Sequence, residues 1–130
     1  SKEPLTAAVR DYDTEWKEVV QWVWHGMVTA EEMGLTSTNL ADAPTDSATT
    51  RFLTGSPWLG TEANSLAPDF MTHVLTAVGN YGEAYDRSFC DGTYDGTSGS
   101  DAMTGCVLPR ANTENALVSE GGLMYAPAWR

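Results

Sequence analysis

The chain has 130 residues, and 18 Asp and Glu stand against seven Lys and Arg, a formal net charge of −11. That length suits one domain, and 42% hydrophobic residues with five Trp and five Tyr are enough to bury a core. The acidic balance argues against nucleic acid and anionic membrane surfaces, and no apolar run reaches the length that spans a bilayer.

The start, Ser1-Lys2-Glu3-Pro4, carries no initiator Met and no signal-peptide pattern, so the chain reads as processed or trimmed at its front. Leu5 to Val9 reads as a short extended segment. Asp11 and Asp13 then offer cap oxygens to a long helix from Thr14 to Met33. Its stripe is Trp16, Val19, Val20, Val23, Met27 and Ala30, and Gly34 fits the position just past its end. Trp22 and Trp24 fall off that stripe, which predicts a helix buried on more than one side, or docked on a partner. Thr36 to Ser47 is a polar connection. Ser47 to Thr54 reads as a short helix closed by Gly55, followed by a loop around an anchoring Trp58.

Pro68 fits the first turn of a second long helix with the stripe Phe70, Val74, Val78, Tyr81, Tyr85 and Phe89. Gly79 and Gly82 lie inside that pattern, each lowering helix stability by about 1 kcal/mol against Ala. They predict a close approach by another backbone, with Asn80 and Glu83 bonding locally. After residue 106, Asn112 or Thr113 can cap a short helix through Ala116, Leu117 and Val118, ended by Gly121-Gly122. The tail from Leu123 to Arg130 is extended and apolar, as expected of a segment packed on the body.

Cys90 and Cys106 flank a polar, Gly-rich loop. An even count around a segment with little apolar surface favours a disulfide, worth about 3 kcal/mol in the chain-entropy model. Such a bridge places the protein in an oxidising compartment; two buried free thiols are the other reading.

Little in the chain points to catalysis. His25 and His73 are solitary, on different predicted helices. Glu31-Glu32 and Asp11/Asp13 read as a solvated helix face and as caps. Asp91, Asp95 and Asp101 lack the ligand order of a calcium loop. No catalytic, cofactor-binding or metal-ligating residue is assigned, no cofactor is expected, and the chain is not read as an enzyme.

Four runs resemble a known family. Ser1-Lys2-Glu3-Pro4-Leu5 with Val9-Arg10, Asp11, Asp13, Trp16, Val20 and Trp22 comes first. Thr29-Ala30-Glu31-Glu32-Met33-Gly34-Leu35-Thr36-Ser37-Thr38-Asn39 follows, then Val78-Gly79-Asn80-Tyr81-Gly82-Glu83, and last Gly121-Gly122-Leu123-Met124-Tyr125-Ala126-Pro127. Their order and spacing resemble the later part of the general L-amino-acid-binding proteins of bacterial ABC transporters, over almost the whole chain. The Cys90–Cys106 loop is an elaboration on that pattern, and Asn115-Ala116-Leu117-Val118 stands where the family has Asn-Ala-Leu-Trp.

The resemblance implies a partial lobe of a type II periplasmic-binding-protein-like α/β fold. Residues 1–130 would form a single C-terminal portion, mainly α with one or two short strands, and a disulfide-bounded loop at 90–106. Most residues that clamp a ligand lie earlier in that family, so no ligand-binding residue is carried over. Gly79, Asn80, Tyr81, Gly82 and Glu83 are expected to serve packing. Two functions follow: a non-catalytic relative of the amino-acid-binding subunit of an ABC importer, without most of the ligand cleft, or a repurposed fragment. The latter would be a structural subunit docked on a larger, membrane-associated assembly in a periplasm or an organelle lumen such as a thylakoid's. Either reading expects another chain or segment to complete the fold, with Trp22, Trp24, Trp58 and Trp129 as partner contacts.

Overall fold

The computed structural model describes residues 3–55, 66–94 and 105–129. Four α-helices are formed among them: α1 (Thr14–Glu32), α2 (Ser47–Thr54), α3 (Phe70–Val78) and α4 (Tyr81–Phe89). Short 3-10 turns lie at Leu40–Asp42 and Val118–Glu120.

Local chemistry sets the helix ends. Asp13 accepts the Trp16 amide at 3.1 Å and starts α1. Gly34, with φ of +73°, lets the chain turn left-handed at the other end. The Gly34 amide then reaches the Glu31 carbonyl and the Leu35 amide reaches the Ala30 carbonyl, satisfying two carbonyls of the last turn. Asp46 caps α2 by accepting the Ala48 and Thr49 amides, and Gly55 closes it.

The long helix expected from Pro68 to Phe89 is two helices. Gly79, at φ +79°, ends α3, and Asn80 begins α4 with a capping box. The Asn80 side chain accepts the Glu83 amide at 2.9 Å, and Glu83 accepts the Asn80 amide at 2.7 Å. The apolar spacing runs across the break because α3 and α4 both pack on α1. Val78, on the expected stripe, is exposed at the break.

Two hydrophobic clusters flank α1. Ala30, Leu35, Phe52, Phe70, Met71 and Leu75 join α1, α2 and α3. Val28, Tyr81, Tyr85, Leu117 and Met124 join α1, α4 and the C-terminal segment. α1 is thus central, contacted from two sides. Trp16, placed on its buried stripe by spacing, is 55% exposed, because the first turns of α1 run out beyond both clusters.

No strand forms among the described residues. The nearest approach to a sheet is an isolated parallel bridge, Leu117 with Met124. Leu5 to Val9, read as a short extended segment, joins no sheet: the Leu5 amide donates to the Asn115 side chain at 2.7 Å. The helix expected from Asn112 to Val118 does not form. Asn112 adopts φ +59°, and the Asn115 carbonyl is taken by the Arg110 side chain rather than by an amide one turn on. What remains is the 3-10 turn Val118–Glu120, closed by left-handed Gly121.

Candidate functional site

The most concentrated polar chemistry lies where α1, α4 and the segment 108–118 meet. Glu31, in the last turn of α1, points inward, and Arg110 reaches it from a loop 79 residues away. The guanidinium and carboxylate form two parallel hydrogen bonds of 2.9 and 2.8 Å, with both side chains almost wholly buried. Arg110 Nε donates to the Asn115 carbonyl at 2.6 Å, and the guanidinium lies over the rings of Tyr81 (4.7 Å) and Tyr85 (5.4 Å). The Tyr94 hydroxyl donates to Glu31 at 3.0 Å. Gly82 keeps its place because a Cβ there would meet the Glu31 carboxylate and the Tyr94 ring.

A second network stitches residues 34–39 to the start of α4. Glu83 accepts from the Ser37 hydroxyl at 2.7 Å and from the Ser37 amide, besides its capping bond to Asn80. The Asn80 amide group, fully buried, donates to the Leu35 carbonyl at 2.8 Å. The C-terminal run closes the arrangement: the Ala126 amide donates to Glu32 at 3.3 Å, and the Leu123 and Met124 amides bond the Glu114 and Ala116 carbonyls.

Burial is the main cause of the pKa shifts around the pair. Burial pushes the Tyr81 phenol up to about 12, with Arg110 opposing the rise. Burial, with the Glu31 charge and hydrogen bond adding, lifts Tyr94 higher still. Burial raises Tyr85 and lowers His25. It also raises Glu32, against the Ala126 hydrogen bond. Tyr81, Tyr85 and Tyr94, all shifted upward, are not poised to lose a proton near neutrality.

Glu31, expected on a solvated helix face, is instead buried against Arg110. Gly79, Asn80, Tyr81, Gly82 and Glu83 all lie at this junction, but what approaches Gly82 is a pair of side chains, not the backbone expected. Asp13 acts as a cap. His73 pairs with Asp69 at 3.2 Å on the surface, and His25 lies against Gln21.

Three of the tryptophans are engaged within the chain. Trp22 and Trp129 meet edge to face, with centroids 5.7 Å apart. Trp129 also packs on Phe52 at 4.9 Å, and Trp24 packs on Tyr81 at 5.2 Å. Trp58, Asp95 and Asp101 lie outside the described residues; Asp91 bonds Thr93.

Cys90 and Cys106 are joined as a disulfide. Their sulfurs and a carboxylate oxygen of buried Asp86 lie within 4.8 Å of one another, so these three residues could hold a metal once the sulfurs are free. Two grooves adjoin along α1 and share Thr6 and Trp24. One, of about 390 Å³, is lined by Val9, Lys17, Val20 and His25. The other, of about 320 Å³, is lined by Leu5, Met27, Tyr85 and Phe89.

Sequence reading missed Arg110, Asn115, Tyr94 and the inward turn of Glu31. A signal for Glu31 was present, since it sits three residues after Val28 and four after Met27, on an apolar face. Arg110 offered none, being a loop residue without periodicity.

No protein-family model matches the chain. It is 36% identical over 132 residues to the glutamate/glutamine/aspartate/asparagine-binding protein BztA of Rhodobacter capsulatus, with 100% of this chain and 35% of that protein covered. It is 35% identical over 136 residues to the general L-amino acid-binding periplasmic protein AapJ of Rhizobium johnstonii, with the same coverage. A solved structure, an ABC transporter periplasmic binding protein from Brucella ovis with glutathione bound, matches with a TM-score of 0.67 and 27% identity, covering 94% of this chain and 35% of that one. The chain therefore spans about a third of the length of the relatives it matches, and over that span it is homologous to the amino-acid-binding periplasmic proteins of ABC transporters.

Proposed function

We propose that the chain acts as the helical flank of one lobe of a periplasmic amino-acid-binding protein serving an ABC importer. In this reading it holds the lobe's shape and takes no part in catalysis, while most of the ligand seat belongs to sequence outside these residues. One observation carries the reading: Glu31, Asn80 and Glu83, polar residues of the resembling runs, are all bonded within the chain. Glu31 is committed to Arg110 and Tyr94, Glu83 to Ser37 and Asn80, and Asn80 to Leu35. A network of this kind fixes a scaffold, with the carboxylates Glu31 and Glu83 already engaged inside the chain. The Cys90–Cys106 bridge and the periplasmic character of the Rhizobium johnstonii relative support an oxidising, periplasmic setting.

A chimera tests this directly. The chain replaces the matching third of the Rhodobacter capsulatus relative, and glutamate binding is followed by calorimetry. The proposal expects a folded chimera with an affinity within about tenfold of the parent, a shift of about 1.4 kcal/mol. A chimera with native-like circular dichroism and no glutamate binding would overturn it.

The second reading, a docking subunit of a larger assembly, is favoured by the paired grooves beside Leu5 and Trp24, whose walls are largely apolar. Native mass spectrometry of the protein from its source separates the two. A stable complex with an unrelated assembly supports docking, and a single polypeptide binding an amino acid supports transport.

A further inference from the structure

We propose that Asp86, Cys90 and Cys106 form a redox-gated site for a thiophilic divalent cation such as Zn²⁺. The disulfide closes the site, and reduction opens it.

The ligand set is held from both sides. Asp86 and Cys90 are one turn apart at the end of α4, and the Cys90 amide donates to the Asp86 carbonyl at 2.9 Å. Asp86 is fully buried. Cys106 is held opposite them by contacts that do not involve its sulfur. The Val107 amide donates to the Phe89 carbonyl at 2.8 Å, and the Tyr85 hydroxyl donates to the Leu108 carbonyl at 2.7 Å. Two residues further on, Arg110 is clamped to Glu31. Breaking the S–S bond therefore leaves the two thiols facing each other beside the carboxylate.

The dimensions fit. The three ligand atoms lie within 4.8 Å of one another. At tetrahedral angles two ligands each about 2.0–2.3 Å from zinc stand about 3.3–3.8 Å apart, so side-chain shifts of about 1 Å, once the S–S bond is broken, bring all three onto one ion. Two thiolates and one carboxylate suit zinc, and water completes a tetrahedron.

The chemistry balances with a thiol reductant. Two reductant thiols give up two electrons and two protons and become a disulfide, while the Cys90–Cys106 bond breaks to two thiols. Zinc then binds the two sulfurs as thiolates and releases two protons to solvent.

The test uses the whole chain reduced with a phosphine, which does not compete for metal as a dithiol would. Cobalt(II) is the spectroscopic probe and zinc its competitor. We expect one equivalent of cobalt with a thiolate-to-cobalt charge-transfer band, displacement by zinc, and no band in the oxidised chain. Asp86→Asn should weaken zinc binding by at least about tenfold. No charge-transfer band in the reduced chain, or an unchanged affinity in folded Asp86→Asn, would overturn the proposal. Should that variant lose its helical circular dichroism, the reduced wild-type chain decides. Zinc binding at least about tenfold tighter in the native state than in urea supports a built site, and equal affinity overturns it.

Discussion

Arg110→Met is the sharpest perturbation of the buried network. The change keeps the length of the apolar stem and removes the guanidinium. It deletes the two hydrogen bonds to Glu31, the bond to the Asn115 carbonyl and the cation resting on Tyr81 and Tyr85. Glu31 is then left buried with only the Tyr94 hydroxyl. Removing one partner of a buried ion pair costs about 3–5 kcal/mol, so we expect a loss of about 4 kcal/mol, a large share of a domain's usual 5–15 kcal/mol. With a urea slope of about 2 kcal/mol per M, the unfolding midpoint falls by about 2 M. The double variant Glu31→Met with Arg110→Met removes both charges and should lose only about 1–2 kcal/mol, much of it from the Tyr94 hydroxyl left without its acceptor. Urea unfolding of the oxidised chain at neutral pH reads all three proteins. A loss under about 1 kcal/mol for Arg110→Met, or a double variant less stable than the single, would refute the reasoning.

Gly82→Ala should destabilise although alanine favours helices by about 1 kcal/mol. The new methyl meets the Glu31 carboxylate and the Tyr94 ring, and overpacking of this kind costs about 1–3 kcal/mol; a stabilised variant in urea unfolding would contradict the packing. His25 has a folded pKa below its ordinary 6.5 because of burial. The unfolded chain therefore binds that proton more readily, and stability should fall as pH drops through 6.5 and below. His25→Gln should flatten the profile as pH falls below 6.5, and an unchanged slope there would exclude His25 as its source. Reduction of the Cys90–Cys106 bridge, which closes a loop with a sequence separation of 16, should lower stability by about 3 kcal/mol while leaving the helical circular dichroism intact. Loss of the helical signal on reduction alone would contradict this, since it would show that α4 (Tyr81–Phe89) depends on the bridge.

The parts legible in the sequence were those fixed by neighbours in the chain. α1 starts at its Asp13 cap and ends at Gly34, and α2 runs from Ser47 to Thr54 with Gly55 behind it. The break at Gly79 was hidden because Phe70 and Tyr81 keep helical spacing while belonging to separate helices against α1. The Asn80–Glu83 pair carried the correcting signal, since Asn three residues before Glu is a capping-box pattern. The Glu31–Arg110 pair was beyond local reading because it joins residues 79 apart. The failed helix after Asn112 has the same origin, as Arg110 takes a carbonyl that a helix would need. Trp16 shows the opposite error, a periodic position on a stretch of helix that outruns the core.

In the proposed function these residues build a lobe's scaffold and leave the grip on an amino acid to sequence elsewhere in such proteins. Calorimetric titration of the oxidised chain by itself with each of the twenty amino acids tests that most directly. The account predicts no binding tighter than millimolar, the range of about −4 kcal/mol. A saturating one-to-one isotherm at micromolar concentration, about −8 kcal/mol, would contradict it.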